Sequence, residues 1–158
     1  MDKTYEVMCG NLRGIIEGER HPIPNMANAA ALLWHGLERI NWAGFYTLER
    51  EGCLLLGPFQ GKPACIRIPV GRGVCGTAVK ENQTQLVVDV HGFPGHIACD
   101  SASASEIVIP LHGEDGNICG VLDIDSPIVG RFTGIDKEGL EAFARILESA
   151  CDWEQSEL

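Results

Sequence analysis

Residues 105–127 read SEIVIPLHGEDGNICGVLDIDSP, and the pair Asp115-Gly116 at their centre decides the fold class. Asp-Gly between two alternating segments marks a β-hairpin, because both residues tolerate the positive φ that a tight turn of the favoured hand requires. With those two residues as the turn, Cys119 faces His112, Val121 faces Pro110, Asp123 faces Val108 and Asp125 faces Glu106, all on one side of the ribbon. The other side carries Ile107, Ile109, Leu111, Leu122 and Ile124, an unbroken apolar surface suited to packing on helices. Like charges opposed across a sheet destabilise it. Glu106 and Asp125, with Asp123 close by, therefore require a cationic ligand group or a proton held on one carboxylate, unless this side is an ordinary solvated face. Pro110 cannot donate to a ladder and implies an outward-facing nitrogen or a bulge.

On either side of the hairpin the pattern is helical at the chain ends and strand-like between. Tyr5, Met8, Cys9, Leu12, Ile15 and Ile16 recur at helical spacing over residues 3–18, which places Cys9 in a core stripe. A second helix is expected after Pro24 through MANAAALLWHGLE to about Glu38. The last helix runs from about residue 135, with Leu140, Phe143, Ala144, Leu147 and Cys151 on one stripe. Strands are expected at 42–48, 53–60, 64–68, 86–90, 106–112 and 117–125, with one short helix from Val74 to about Asn82. Helices gathered at the ends, rather than alternating with strands, favour an α+β domain: a largely antiparallel central sheet with the N- and C-terminal helices packed on one face.

Composition bounds the function. The chain has 158 residues, 45% of them hydrophobic, enough for one domain spanning 1–158 with a real core. No apolar run approaches a membrane span, and MDKTYEVMCG lacks the order of a signal peptide, so a cytoplasmic protein with no membrane partner is expected. Twelve basic against 22 acidic residues give a net charge of −10, which repels phosphate backbones and makes nucleic acid a poor partner. Seven cysteines, an odd number, argue for thiols rather than a disulfide framework.

Three of those cysteines, Cys65, Cys75 and Cys99, lie in glycine- and proline-punctuated stretches, KPACIRIPVGRGVCG and DVHGFPGHIACD. Such stretches read as loops, so these thiols are expected to be reachable, either as ordinary loop thiols or as reactive ones. Gly71, Gly73 and Gly76 fit G-x-G-x-x-G, followed by Asp89, but Pro69 interrupts the approach and the helix is too short for a dinucleotide crossover. The glycines instead permit a tight turn around Cys75, near a helix N-terminus that would favour its thiolate. His91, His96 and Cys99, with Asp89 or Asp100, offer metal-ligand types. They lack the close-spaced ligand pairs of a structural zinc site, and no metal is assigned.

The runs LGPFQGKPACIRIPVGRGVCGTAV (56–79), VVDVHGFPGHIACDSASASEIVIPL (87–111) and GVLDIDSP (120–127) closely resemble the free methionine-(R)-sulfoxide reductases, small enzymes on the GAF-domain fold. The likeness extends from NWAGFY at Asn41 to the terminal helix. It implies an oxidoreductase acting on a sulfur group, with Cys99 of HIACD as nucleophile and Cys65 and Cys75 resolving the oxidised state through an intramolecular disulfide. It also implies a substrate pocket of Glu106, Asp123, Asp125, Trp42 and Tyr46, with Glu106 and Asp125 supplying the proton. No cofactor is implied. The expected partners are free L-methionine (R)-sulfoxide and thioredoxin as reductant, in a response to oxidative stress, with a homodimer left open. Cys119 and Cys53 fall outside the family pattern, and Cys119 is expected on the pocket side. The different-class alternative is a non-catalytic GAF-type sensor of a small ligand or metal.

Overall fold

The computed structural model describes residues 1–96 and 101–154. Along the chain run α1 (Lys3–Ile15), α2 (Pro22–Gly36), β1 (Trp42–Leu48), β2 (Cys53–Gly61), β3 (Arg67–Pro69), α3 (Gly73–Glu81), β4 (Gln85–Val87), β5 (Ser105–His112), β6 (Ile118–Ser126) and α4 (Gly134–Ala150). The six strands form one antiparallel sheet in the order β3-β2-β1-β6-β5-β4. The hairpin β5–β6 and strand β1 make its centre. This is the expected α+β arrangement, with α2 and α4 laid on one face of the sheet and α1 packed on both.

Local chemistry explains the element ends. Asp2 caps α1 by accepting from the Thr4 amide, and α2 starts earlier than the sequence suggested, at Pro22, because two prolines can occupy a first turn whose amides have no helical partner. Thr133 and Asp136 form a reciprocal capping box on α4. Asp136 also accepts from the Tyr5 hydroxyl at 2.6 Å, tying α1 to α4 inside the core. The strand expected at 64–68 shrinks to Arg67–Pro69, so Ala64 and Cys65 belong to a loop.

The helix-facing core contains Ile107, Ile109, Leu111, Leu122 and Ile124 from the hairpin, with Leu12, Leu33, Leu140, Phe143 and Leu147 from the helices. Cys9 and Cys151 are buried in it, as their helical spacing implied. Gly139 lets α1 and α4 touch, since a Cβ there would collide with the Tyr5 ring. Gly139→Ala is expected to be destabilising: overpacking of about 1–3 kcal/mol outweighs a helix-propensity gain of about 1 kcal/mol. Chemical denaturation of the variant beside the parent protein measures the difference, and an unchanged or higher midpoint would contradict the contact.

The hairpin departs from the sequence reading at its tip. Pairings of Glu106 with Asp125, Val108 with Asp123 and Pro110 with Val121 are as expected, but Leu111 pairs with Gly120 and His112 with Ile118. Cys119 is therefore an extra residue, a bulge. The connection is a three-residue loop: the Gly116 amide donates to the Gly113 carbonyl at 3.0 Å, the Gly113 amide donates to the Asn117 carbonyl at 2.9 Å, and Gly116 has φ 84°. The bulge turns Cys119 onto the helix side, against the core rather than the acidic face expected for it, and its burial pushes the thiol up to about 12. Pro110 sits beyond the end of β4 pairing, where Val108 is the last partner of Gln85, and its carbonyl accepts from Arg145 of α4.

Candidate active site

The opposite face of the sheet is covered by α3 and by the loop before β3. Register brings the site together: Trp42 of β1 lies against Asp125, Gly44 against Asp123, and Asp125 against Glu106 of β5. Side chains alternate along a strand, so Trp42, Tyr46, Glu106, Asp123 and Asp125 emerge on this one face. Gly44, between the two aromatics, leaves no side chain to hold them apart. A Cβ there would collide with Phe59 and lie 2.9 Å from the Trp42 ring. Trp42 consequently stacks on Phe59 with ring centroids 5.2 Å apart and on Tyr46 at 5.9 Å. Both aromatics are anchored at their polar ends, Trp42 Nε1 donating to the Lys62 carbonyl at 3.1 Å and the Tyr46 hydroxyl to the Cys65 carbonyl at 3.1 Å.

These residues line one cavity together with Pro63, Ala64, Ile68, Arg72, Gly73, Val74, Cys75, His96 and Ser103. Glu106 and Asp123 are buried at its floor. Burial raises the Glu106 carboxyl well above the ordinary range, and the charges of Asp123 and Asp125 and hydrogen bonds to both push it the same way. Burial also raises Asp123, against hydrogen bonds from Glu106 and Cys75 that favour its ionised form. Of the two, Glu106 is pushed up the more strongly, so it is the carboxyl that most favours holding a proton shared with the aspartates. Burial and the neighbouring acids thus favour a shared proton in this cluster, and they leave a cationic ligand group as a compatible second solution.

Cys75 departs from expectation. It lies in the first turn of α3, as a helix N-terminal thiol should, but it is buried rather than loop-borne and reachable. Burial, then the charges of Asp123, Glu106 and Asp125, raise it well above the ordinary thiol range and outweigh the helix terminus. The tight turn that Gly71, Gly73 and Gly76 were expected to permit is present, and a Cβ on Gly76 would lie 2.6 Å from the Pro69 carbonyl oxygen. Cys65 is half-buried in the loop before β3 and is disulfide-bonded, whereas Cys9, Cys53, Cys75, Cys119 and Cys151 are free. Cys99 lies outside the described residues.

His91 and His96 do not converge. His91 is exposed and bonded to Asp89, 2.8 Å away, in a 3-10 turn, while His96 enters the cavity with Nε2 3.9 Å from Glu106 Oε1. Burial, then the charge of His91, lowers the His96 imidazole and keeps it neutral near pH 7. Among the described residues the grouping closest to a ligand set is Cys75, Glu106 and Asp123, with one donor atom from each within 4.8 Å of the others. The same three groups are joined by hydrogen bonds, Asp123 accepting from Glu106 and Cys75.

The sequence reading did not assign Arg72, Ser103 or the opening of α3 to the site. Arg72 is the N-cap of α3 but gives it no side-chain cap, and it lines the cavity together with Gly73, Val74 and Cys75 of the helix's first turn. The signal available was the run GRGVCG, whose glycines bring a backbone and its amides close to whatever the cavity holds.

Residues 22–151 match the family model described as GAF domain. Over 150 residues, 94% of this chain and 90% of the other, the sequence is 55% identical to the free methionine-R-sulfoxide reductase of Escherichia coli (strain K12). The chain belongs to the free methionine-R-sulfoxide reductase family. The reduced form of fRMsr of Staphylococcus aureus superposes with a TM-score of 0.89 at 54% identity, covering 92% of this chain and 94% of that one. Free methionine-R-sulfoxide reductase from Neisseria meningitidis, solved in complex with its substrate, gives 0.91 at 40% identity, covering 100% and 95%. In this reductase-family chain, no helix among the described residues is long and apolar enough to cross a membrane.

Proposed function

We propose that the chain, as one catalytic domain over 1–158, reduces free L-methionine (R)-sulfoxide to methionine, with thioredoxin as the final reductant. The observation that carries the reading is the buried Glu106, its carboxyl raised well above the ordinary range by burial and by two neighbouring aspartates, in a cavity walled by aromatics and in a chain 55% identical to a reductase of that name. Sulfoxide reduction needs a thiolate to attack sulfur while the oxygen gains a proton, and a carboxyl that keeps its proton near neutrality can supply it.

In this mechanism the Cys99 thiolate attacks the sulfoxide sulfur, the oxygen takes the proton of Glu106, and oxygen transfer leaves methionine and a Cys99 sulfenic acid. The Cys65 thiol then displaces water from the sulfenic acid and forms a Cys65–Cys99 disulfide. Support comes from the bonded state of Cys65, with all the other described cysteines free. Cys75 is the alternative resolving thiol, able to displace water from the same sulfenic acid in place of Cys65, and it reacts more slowly because it keeps its proton. An external dithiol returns two electrons and two protons and restores both thiols.

The cavity suits a zwitterion. Asp123 and Asp125 receive the ammonium, the uncapped start of α3 and the Arg72 guanidinium receive the carboxylate, and Trp42 and Tyr46 wall the methyl-sulfur end. The Asp123 Oδ1 atom is buried with no hydrogen-bond partner, which fits a carboxylate waiting for a donor. Purified protein with thioredoxin, its reductase and NADPH should form methionine from the free R diastereomer and leave the S diastereomer. N-acetylmethionine sulfoxide should react at least about tenfold less efficiently, since it offers an amide where the aspartates expect a cation. Asp123→Asn should act mainly on KM. Equal turnover of both diastereomers, or efficient reduction of the N-acetyl compound, contradicts this reading.

A further inference from the structure

We propose that the loop and strand edge at Cys65-Ile66-Arg67 form the docking surface for a protein dithiol reductant, selected by an apolar contact at Ile66 together with the exposed basic residues Lys62, Arg67 and Arg72 of the same stretch. The proposal rests on the reductase reading above and specifies where its reductant binds. Three observations meet here. Ile66, next to the disulfide-bonded Cys65, is the most exposed large apolar side chain among the described residues, at 66%. A single exposed isoleucine is unremarkable on most surfaces, but beside a sulfur that a partner must reach it supplies the apolar contact such an encounter needs.

Charge is the second observation. The chain carries −10 overall, yet residues 61–80 hold Lys62, Arg67, Arg72 and Lys80 and no acid. Lys62, Arg67 and Arg72 are exposed and enter no salt bridge with a described residue. A positive island on an acidic protein steers a partner whose reactive face has an acidic rim and orients it toward Cys65. The third observation is geometric. Among the described residues β3 is the end strand of the sheet and pairs only with β2; Pro69 has no amide to offer and its carbonyl accepts from the Arg72 amide at 3.1 Å, so the open edge is a short one centred on Arg67, beside Ile66.

In the docked complex a partner thiolate attacks the Cys65 sulfur, and the other sulfur of the bond leaves as a thiolate. The partner's second thiol then attacks the mixed disulfide, releasing Cys65 and leaving the partner oxidised by two electrons. A small dithiol such as dithiothreitol performs the same exchange without needing the surface.

Turnover of free methionine (R)-sulfoxide by Ile66→Ser, Arg67→Glu and the double variant tests this, with thioredoxin and with dithiothreitol as alternative reductants. None of these side chains lines the cavity, and all are exposed, so the fold should be unaffected. The expected result is a KM for thioredoxin raised about tenfold or more in the double variant, with dithiothreitol-supported turnover within about twofold of the parent. Thioredoxin-supported turnover should also fall with added salt while dithiothreitol-supported turnover does not. Equal losses with both reductants, or no loss with either, overturn the docking surface. So does a parent dimer that the double variant dissociates with the thioredoxin KM unchanged, since the edge would then belong to a second copy. If the parent protein turns over with neither reductant, the reductase reading itself has failed. If it turns over with dithiothreitol alone, the activity stands and the partner and its surface fall.

Discussion

Cys99→Ser is expected to retain the fold and to lose sulfoxide reduction by roughly 10³-fold or more, with thioredoxin or dithiothreitol alike. A serine hydroxyl keeps its proton near neutrality, so it presents no anion to the sulfoxide sulfur and cannot carry the oxygen away as a sulfenic acid. The assignment of Cys99 rests on HIACD and on the long runs around it, because residues 97–100 lie outside those the structure describes. The structure describes the surroundings of four of the other thiols. Cys9 and Cys151 are buried among helix residues, Cys119 is turned to the helix side by its bulge, and Cys75 is held protonated among acids. Peptide mapping after stoichiometric reaction should find Cys99 joined to Cys65 in the parent protein and no such link in the serine variant. Substantial turnover by a folded Cys99→Ser protein would remove the nucleophile assignment.

The two features that govern this site were unequally visible in the sequence. The acidic face was legible because a hairpin register follows from its turn and from period-two alternation, and both pointed to Glu106 opposite Asp125. The same logic failed three residues from the turn. A two-residue turn and a three-residue loop closed by a positive-φ glycine share the Asp-Gly signature, and only the bulge at Cys119 separates them. Cys75 was misplaced for a related reason. Glycine and proline around a cysteine read as exposed loop, yet here the glycines fold the backbone tightly enough to seat α3 on the sheet and bury the thiol over the carboxylates. Arg72 and the start of α3 were missed because the glycines of GRGVCG signal only a closely packed backbone, whereas the relevance of these residues depends on which face of the sheet α3 covers.

Glu106→Gln is expected to lower kcat by about 10²–10⁴-fold while changing KM comparatively little, the range typical of removing a general acid. The amide matches the carboxyl in shape and can still donate a hydrogen bond to Asp123 or Asp125, but it has no proton to transfer to the sulfoxide oxygen. The pH profile should report the same group. With Glu106 as the proton donor, turnover in the parent should fall on the alkaline side as that proton is lost, and the residual activity of the glutamine variant should lack this limb.

Stability should move in the opposite direction. Glu106 binds its proton more tightly in the folded protein than in the unfolded chain, because burial and the two aspartates raise it. Between the unfolded value and the raised folded one, the native state holds more protons than the unfolded state, so stability falls as pH rises through that window. Below the unfolded value this contribution is fully present, and above the folded value it has been lost. Glutamine carries no such proton, so the variant's stability should depend less steeply on pH, and its advantage over the parent should grow toward alkaline pH. Chemical denaturation of both proteins across the pH range measures this. A parallel pH dependence in parent and variant, together with unchanged kcat, would place the proton elsewhere and leave Glu106 as packing beneath the cavity.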